Sequence, residues 1–180
     1  MIYIVYDIEA TCWKGSPPSM IQETIEIGAV KCTYFGENLG EFSRFIKPKY
    51  NPELSLFCRQ LTKIEQHNID RANGFESVIY DFMDWIDIYN ENYMLCSWGD
   101  FDRIHLTSES ESYDLETDWL QQHINVKSQY RDLRKMDRAK GLSKALSLEG
   151  FEFTGTPHRA ISDAQNLAKI FLKHVDMWQV

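Results

Sequence analysis

The residues whose types and spacing could do chemistry are two pairs of acids at i, i+2, one aspartate near the carboxyl end and a histidine just before it. Asp7 and Glu9 close the apolar run Ile2-Tyr3-Ile4-Val5-Tyr6. On a strand, residues i and i+2 point to one face, so both carboxylates leave the sheet side by side. At that separation they repel each other unless a cation sits between them. Asp100 and Asp102 repeat the spacing after Trp98-Gly99, at the end of a second strand-like run. Ligands of open α/β sheets gather at the carboxyl ends of strands, which is where both pairs fall. An aspartate just before a helix is also a common N-cap, so at this point either member of the second pair is free to take the chemical role.

Asp163 borders an apolar stripe of Ala160, Ala164, Leu167, Ala168, Phe171 and Val175, which turns it toward the body of the protein. A carboxylate there needs a partner, and a metal ion is one. His158 precedes this segment on a loop opened by Gly155 and Pro157. Singly, these residues have plainer readings: an exposed strand end, a helix cap, a surface histidine. Together they offer four hard oxygen donors and one unattached imidazole, which suits Mg²⁺ or Mn²⁺ and not zinc. Two such ions about 4 Å apart serve in-line displacement at phosphorus. A histidine with an unperturbed pKa near 6.5 is suited to take the proton from the attacking water.

The elements that must position these groups can be read from apolar periodicity. The run at 2–6 is rich in β-branched and aromatic residues, the profile of a strand buried on both faces and central in its sheet. GSPPS at 15–19 breaks the chain. Strand-like runs follow from Thr24 to Tyr34 and from Leu39 to Ile46, joined by the turn at 35–38 as a β-hairpin, with Pro48 and Pro52 closing off the sheet. Leu61, Ile64 and Ile69 space like a short helix. Phe75, Val78, Ile79, Phe82, Trp85 and Ile86 give helical steps of three and four. Tyr93 to Trp98 returns to strand character, 107–118 reads as a polar loop, and 124–126 as a short last strand. Helices are expected over 128–138, over 142–149 with Gly150 as the stop, and through the final apolar stripe. Hairpin first and strand–helix alternation later predict one α/β domain on a mixed sheet, spanning 1–180.

Composition narrows the class. With 180 residues and 43% apolar content the chain can fill a sizeable core, which excludes a disordered tail. Cys12, Cys32, Cys58 and Cys96 share no close spacing, so no CxxC zinc or redox motif is present. The start lacks the basic region and cleavage site of a signal peptide, and no apolar run approaches the roughly 18 residues a membrane span needs. The expectation is a reduced, soluble, cytoplasmic protein. Net charge is −8, from 19 basic and 27 acidic residues, which argues against coating nucleic acid or membrane by charge alone. The charge is uneven. Seven bases and two acids lie between Lys127 and Lys144, either a solvated helix face or a strip facing phosphate.

The ordered set Asp7-x-Glu9, Phe101-Asp102 and His158-x-Ala-x-x-Asp163 resembles the DEDDh branch of the DnaQ-like 3′–5′ exonucleases. Within it the chain is most similar to Eri-type exoribonucleases and KapD-type bacterial proteins, through 54–58, Leu61-Thr62, Ile64, Gln66, Ile69-Asp70, Ala72, Phe75, DIEATC at 7–12 and GTPHRAISDAQN at 155–166. The resemblance implies an RNase H-like fold, a five-stranded mixed sheet flanked by helices. It implies that Asp7, Glu9, Asp102 and Asp163 hold two Mg²⁺ or Mn²⁺ ions and that His158 is the general base. It places Phe57 and Phe101 against bases, with Ala10 and Thr11 also in the substrate site. The implied partner is the 3′ end of single-stranded nucleic acid, RNA before DNA, cleaved to nucleoside 5′-monophosphates. Two rivals come from other classes. A haloacid-type phosphatase would need an aspartate where Glu9 stands, and a silent RNA-binding module usually lacks one of the five residues present here.

Overall fold

The computed structural model describes residues 1–15 and 21–179. Apart from Gly15, the break expected at 15–19 lies outside them. Strand β1 (Ile2–Ala10) is the spine of the sheet. Its odd and even residues part cleanly: Ile4, Tyr6 and Ile8 enter one apolar cluster, while Tyr3 and Val5 enter another on the opposite face. That is the period-two geometry of a strand covered on both sides, and it leaves odd-numbered Asp7 and Glu9 on the face of Tyr3 and Val5.

Strands β2 (Thr24–Thr33) and β3 (Asn38–Lys47) form the expected hairpin, with Gly36 taking a positive φ of 81° at its turn. Beyond it come α1 (Leu56–Thr62), α2 (Gln66–Asp70), a two-residue strand β4 (Asn73–Gly74), α3 (Phe75–Ile86) and β5 (Tyr93–Ser97). Then follow α4 (Phe101–Ser112), β6 (His123–Asn125), α5 (Val126–Leu133), α6 (Leu142–Glu149) and α7 (Ala160–Lys173). The strand order is β4-β3-β2-β1-β5-β6; β1 runs antiparallel to β2 and parallel to β5, and β5 is parallel to β6. The sheet therefore has six strands where five were expected. The extra one is β4, exposed and paired only with Ile46 and Lys47, too short to carry any apolar alternation.

Helix α3 covers one face through Phe75, Val78, Ile79, Phe82, Met83 and Ile86, and α7 covers the other through Leu167, Ala168, Ile170 and Phe171. Gly150 ends α6 in the left-handed conformation at φ 78°, as its place after an apolar helix predicts. Three expectations need correcting. Residues 107–112 are not loop but the second half of α4, whose inner face carries the polar Glu109 and Ser110 beside Leu106. The helix expected over 128–138 is shorter and earlier, ending at Leu133 before Lys135 turns left-handed at φ 51°. The short helix at 61–69 is two, parted at Lys63, φ 59°. No helix among the described residues is long and apolar enough to cross a membrane.

Candidate active site

Helix α7 lies directly on the outer end of β2. Gly28 pairs with Asp7 across the β1–β2 ladder, and a Cβ on it would fall 2.1 Å from the backbone nitrogen of Ile161. Only a residue without a side chain lets the first turn of α7 come so near. Beside it, Glu26 pairs with Glu9 and is wholly buried. Its carboxylate accepts from Arg159 Nη2 at 2.8 Å, from Arg159 Nε at 3.1 Å and from the Ala160 amide at 3.1 Å. The start of α7 is thus fastened to β2 by contact and by charge.

The consequence is a carboxylate cluster. One oxygen each from Asp7, Glu9 and Asp163 lie within 4.8 Å of one another. Asp163 Oδ2 accepts from the His158 amide at 2.8 Å, and His158, exposed on its loop, holds a left-handed φ of 61°. Asp102 adjoins the cluster from the other side of the strand end. The amide of Ile8, the residue between Asp7 and Glu9, donates to Asp102 Oδ1 at 3.1 Å. Asp102 is buried, whereas Asp100 occupies the N-cap position of α4 and accepts from Asn125 Nδ2 at 2.7 Å. The pair that spacing left alike thus differs in its surroundings: Asp102, the member that the resemblance assigns, faces the cluster, and Asp100 faces β6.

All four carboxyls are displaced toward the protonated form. Burial pushes Asp7 well above the usual carboxylate range, followed by the charges of Asp102, Glu9 and Asp163. Burial, then Asp163 and Glu26, raises Glu9 to about 8. Burial raises Asp102 to about 6 against the pull of the Ile8 amide, and it raises Asp163 too. Acids crowded this way are relieved by a cation, and a set of hard oxygen donors fits a divalent ion such as Mg²⁺ or Mn²⁺.

The aromatic candidates stand apart from the core. Phe57 is 39% exposed on α1, although its neighbour Cys58 is buried against Ile25, Leu54, Ile64 and Ile69. Phe101 is 53% exposed and stacks on His105 with ring centroids 5.3 Å apart. Ala10 and Thr11 are buried, and Thr11 Oγ1 is taken up by the Glu23 amide at 2.9 Å. Sequence reading missed Glu26 and Gly28. The signal for Glu26 was there, a lone acid inside the apolar run Thr24 to Val30.

A mixed sheet of this order flanked by helices, with an acidic cluster where β1 meets α4 and α7, is the RNase H-like architecture of DEDDh exonucleases. The nuclease domain of 3′hExo, a DEDDh family member bound to rAMP, superposes with a TM-score of 0.91 at 28% identity, over 97% of this chain and 92% of that one. The human 3′–5′ exoribonuclease 1 is 30% identical over 177 residues, 94% of this chain and 51% of that protein. The 3′–5′ exonuclease Snipper of Drosophila melanogaster is 32% identical, over 96% of this chain and 68% of that protein. Residues 4–171 match the Exonuclease family (RNase_T), and the chain belongs to it. It spans about half the length of the human, rat and mouse exoribonuclease 1 proteins.

Proposed function

We propose that this protein is a metal-dependent 3′–5′ exonuclease that removes nucleotides from the 3′ end of single-stranded RNA as nucleoside 5′-monophosphates. The observation that carries the reading is the convergence of Asp7, Glu9 and Asp163 within 4.8 Å, from a strand and a helix far apart in sequence. In this reading Asp7, Glu9, Asp102 and Asp163 hold two divalent ions, Mg²⁺ or Mn²⁺. Lewis acidity at the scissile phosphate is the chemistry such ions supply when bound.

The remaining work falls to the chain. His158 takes the proton of the attacking water; its exposed loop gives the imidazole access to solvent, and its amide ties that loop to Asp163. Phe57 and Phe101 offer exposed rings on which a terminal base can stack, a contact that tolerates any base. Ala10 and Thr11 continue the chain from Glu9 at the end of β1, which keeps them beside the nucleotide in this reading. RNA is placed before DNA because relatives of this chain in human, rat and mouse are described as exoribonucleases.

The test is a time course on 5′-labelled single-stranded RNA and DNA of matched sequence, with Mg²⁺, Mn²⁺ or EDTA. A ladder shortening one nucleotide at a time from the 3′ end, absent in EDTA, is the expected result, with RNA the faster substrate. Faster DNA would replace the substrate. Intact nucleic acid in every lane would overturn the reaction and leave a binding module.

A further inference from the structure

Seven basic residues lie between Lys127 and Lys144 in a chain of net charge −8. Two are already engaged. Arg131 is held by Asp132 at 2.7 Å, and Arg134 faces the buried carboxylate of Glu149 at 3.5 Å. Glu149 also accepts from Tyr130 and Lys173; burial raises its pKa, yet these bonds outweigh it and bring the group down to about 2. The side chains of Lys127, Lys135, Arg138, Lys140 and Lys144 make no hydrogen bond or ion pair among the described residues, and all but Lys127 are exposed. The one acid among them without a cation is Asp137.

The fold brings this run back to the edge of the acidic site. The Lys127 side chain lies against Gly99, where a Cβ would stand 3.8 Å from its Cδ. Trp98 Nε1 donates to the carbonyl of Lys140 at 3.1 Å, and the Trp98 ring packs on Tyr130 with centroids 5.7 Å apart. Asn125, which caps α5 through the Ser128 amide, also donates to Asp100 at 2.7 Å. Residues 98–100 therefore tie both ends of the basic segment to the strand end that leads into Phe101 and Asp102. Between those ties, Lys135, Arg138 and Lys140 line an open concavity of about 400 Å³.

Unpaired cations gathered on one side of an acidic body are relieved by a polyanion, and the rest of the surface repels one. We propose that Lys127, Lys135, Arg138, Lys140 and Lys144 form a track for the phosphate backbone of the single strand upstream of its 3′-terminal nucleotide. That placement upstream of the terminal nucleotide rests on the exonuclease reading of the site. The track holds the body of the strand while the acidic cluster works on its end, so its contacts follow phosphates and not bases.

The experiment is fluorescence anisotropy of a labelled single-stranded RNA of about a dozen nucleotides, in EDTA, between about 50 and 200 mM salt. The protein is compared with a variant carrying Lys127→Gln, Arg138→Gln, Lys140→Gln and Lys144→Gln. The expected result is an affinity at least about tenfold lower at low salt, and a slope of log affinity on log salt smaller by about 2 to 3, since each lost phosphate contact on a single strand removes about 0.7. Arg131→Gln, whose charge Asp132 already holds, should leave the slope as it was. If the fourfold variant unfolds, the double variant Lys127→Gln, Lys144→Gln should show about half the slope change. An unchanged slope, or an equal change in Arg131→Gln, overturns the track and returns the strip to solvent or to an acidic protein partner. The same RNA left intact by the unmodified protein in Mg²⁺ and in Mn²⁺, alongside the expected slopes, overturns the exonuclease reading and leaves the track standing.

Discussion

Gly28 and Ile161 meet backbone to backbone, and that contact places Asp163 over Asp7. A methyl group on Gly28 would overlap the Ile161 amide, 2.1 Å away, and neither β2 nor the start of α7 is a flexible side chain that can yield. Gly28→Ala should cost about 1–3 kcal/mol of stability or more, as overpacking does. It should cost nuclease turnover beyond that, because the lifted helix carries a carboxylate of the cluster. Urea unfolding and Mn²⁺-dependent cleavage on one preparation measure both. Wild-type turnover in the alanine variant would show that the close approach does not position the site.

The ion pair of Glu26 and Arg159 makes the second prediction. Glu26→Gln leaves Arg159 and the Ala160 amide with a neutral acceptor in a buried place. The loss should be about 3 kcal/mol, the low end for breaking a buried pair, because Arg159 still reaches solvent. His158 adjoins this anchor, so cleavage should slow at unchanged base preference. Thermal unfolding with a kcat and KM comparison tests it, and a variant of full stability would remove the anchor role.

The crowded acids give a pH dependence with a definite sign. Glu9 titrates at about 8 in the folded protein against an ordinary 4.5, chiefly through burial. Its proton therefore stabilises the metal-free fold fully below about 4.5, and that contribution is lost as pH rises through about 8. Asp102, raised to about 6, acts in the same sense, while His123, lowered to about 4 by burial, acts in the opposite one. Comparing Glu9→Gln with the unmodified protein cancels His123, which does not face Glu9, and reads the crowding of the acids around Glu9. In EDTA the variant should melt several degrees higher at pH 8 and nearly together with it at pH 4.5, at about 2–4 °C per kcal/mol for a chain of this size. Mn²⁺ at about a hundred times its Kd should reverse the order at pH 8, since a bound ligand adds about 2.7 kcal/mol to the form that holds it. A variant that melts lower in EDTA would deny the repulsion.

His158 asks for a careful substitution. Its φ of 61° suits asparagine better than alanine, so His158→Asn keeps the loop and its amide bond to Asp163 while removing the imidazole. Turnover should fall by about 10²–10⁴, with Mn²⁺ affinity by calorimetry unchanged. Loss of Mn²⁺ binding in the asparagine variant would reassign the residue to holding the cluster.

Phe57→Ala and Phe101→Ala should hardly alter stability, within about 0.5 kcal/mol, because both rings are exposed. Each should weaken substrate binding by about 1–3 kcal/mol if it carries a stacked base. The readout is KM on RNA ending in each of the four bases. A ring whose removal leaves KM unchanged does not meet the terminal nucleotide.

Much of the frame was legible because it rests on local periodicity. The central strand showed in Ile2 to Tyr6, the hairpin in its turn at 35–38, and the packing face of α7 in Ala164, Leu167, Ala168 and Phe171. The second half of α4 was not, since one of its inward residues is Glu109, whose carboxylate accepts from the Thr24 amide and hydroxyl at 2.8 and 2.6 Å. A buried acid satisfied by a residue 85 positions away looks like solvated loop until its partner is in place.

The sequence by itself determined which acids exist and that Asp7 and Glu9 share a face, because the parity of a strand is a property of neighbouring residues. Spacing left Asp100 and Asp102 alike and the resemblance assigned Asp102; only the tertiary structure gives the two different surroundings, since the partner of Asp102 is an amide 94 residues away on β1. It also decided the charge state of the cluster. A carboxyl's pKa follows from how deeply it is buried and which charges face it, and both are set only when β1, α4 and α7 come together.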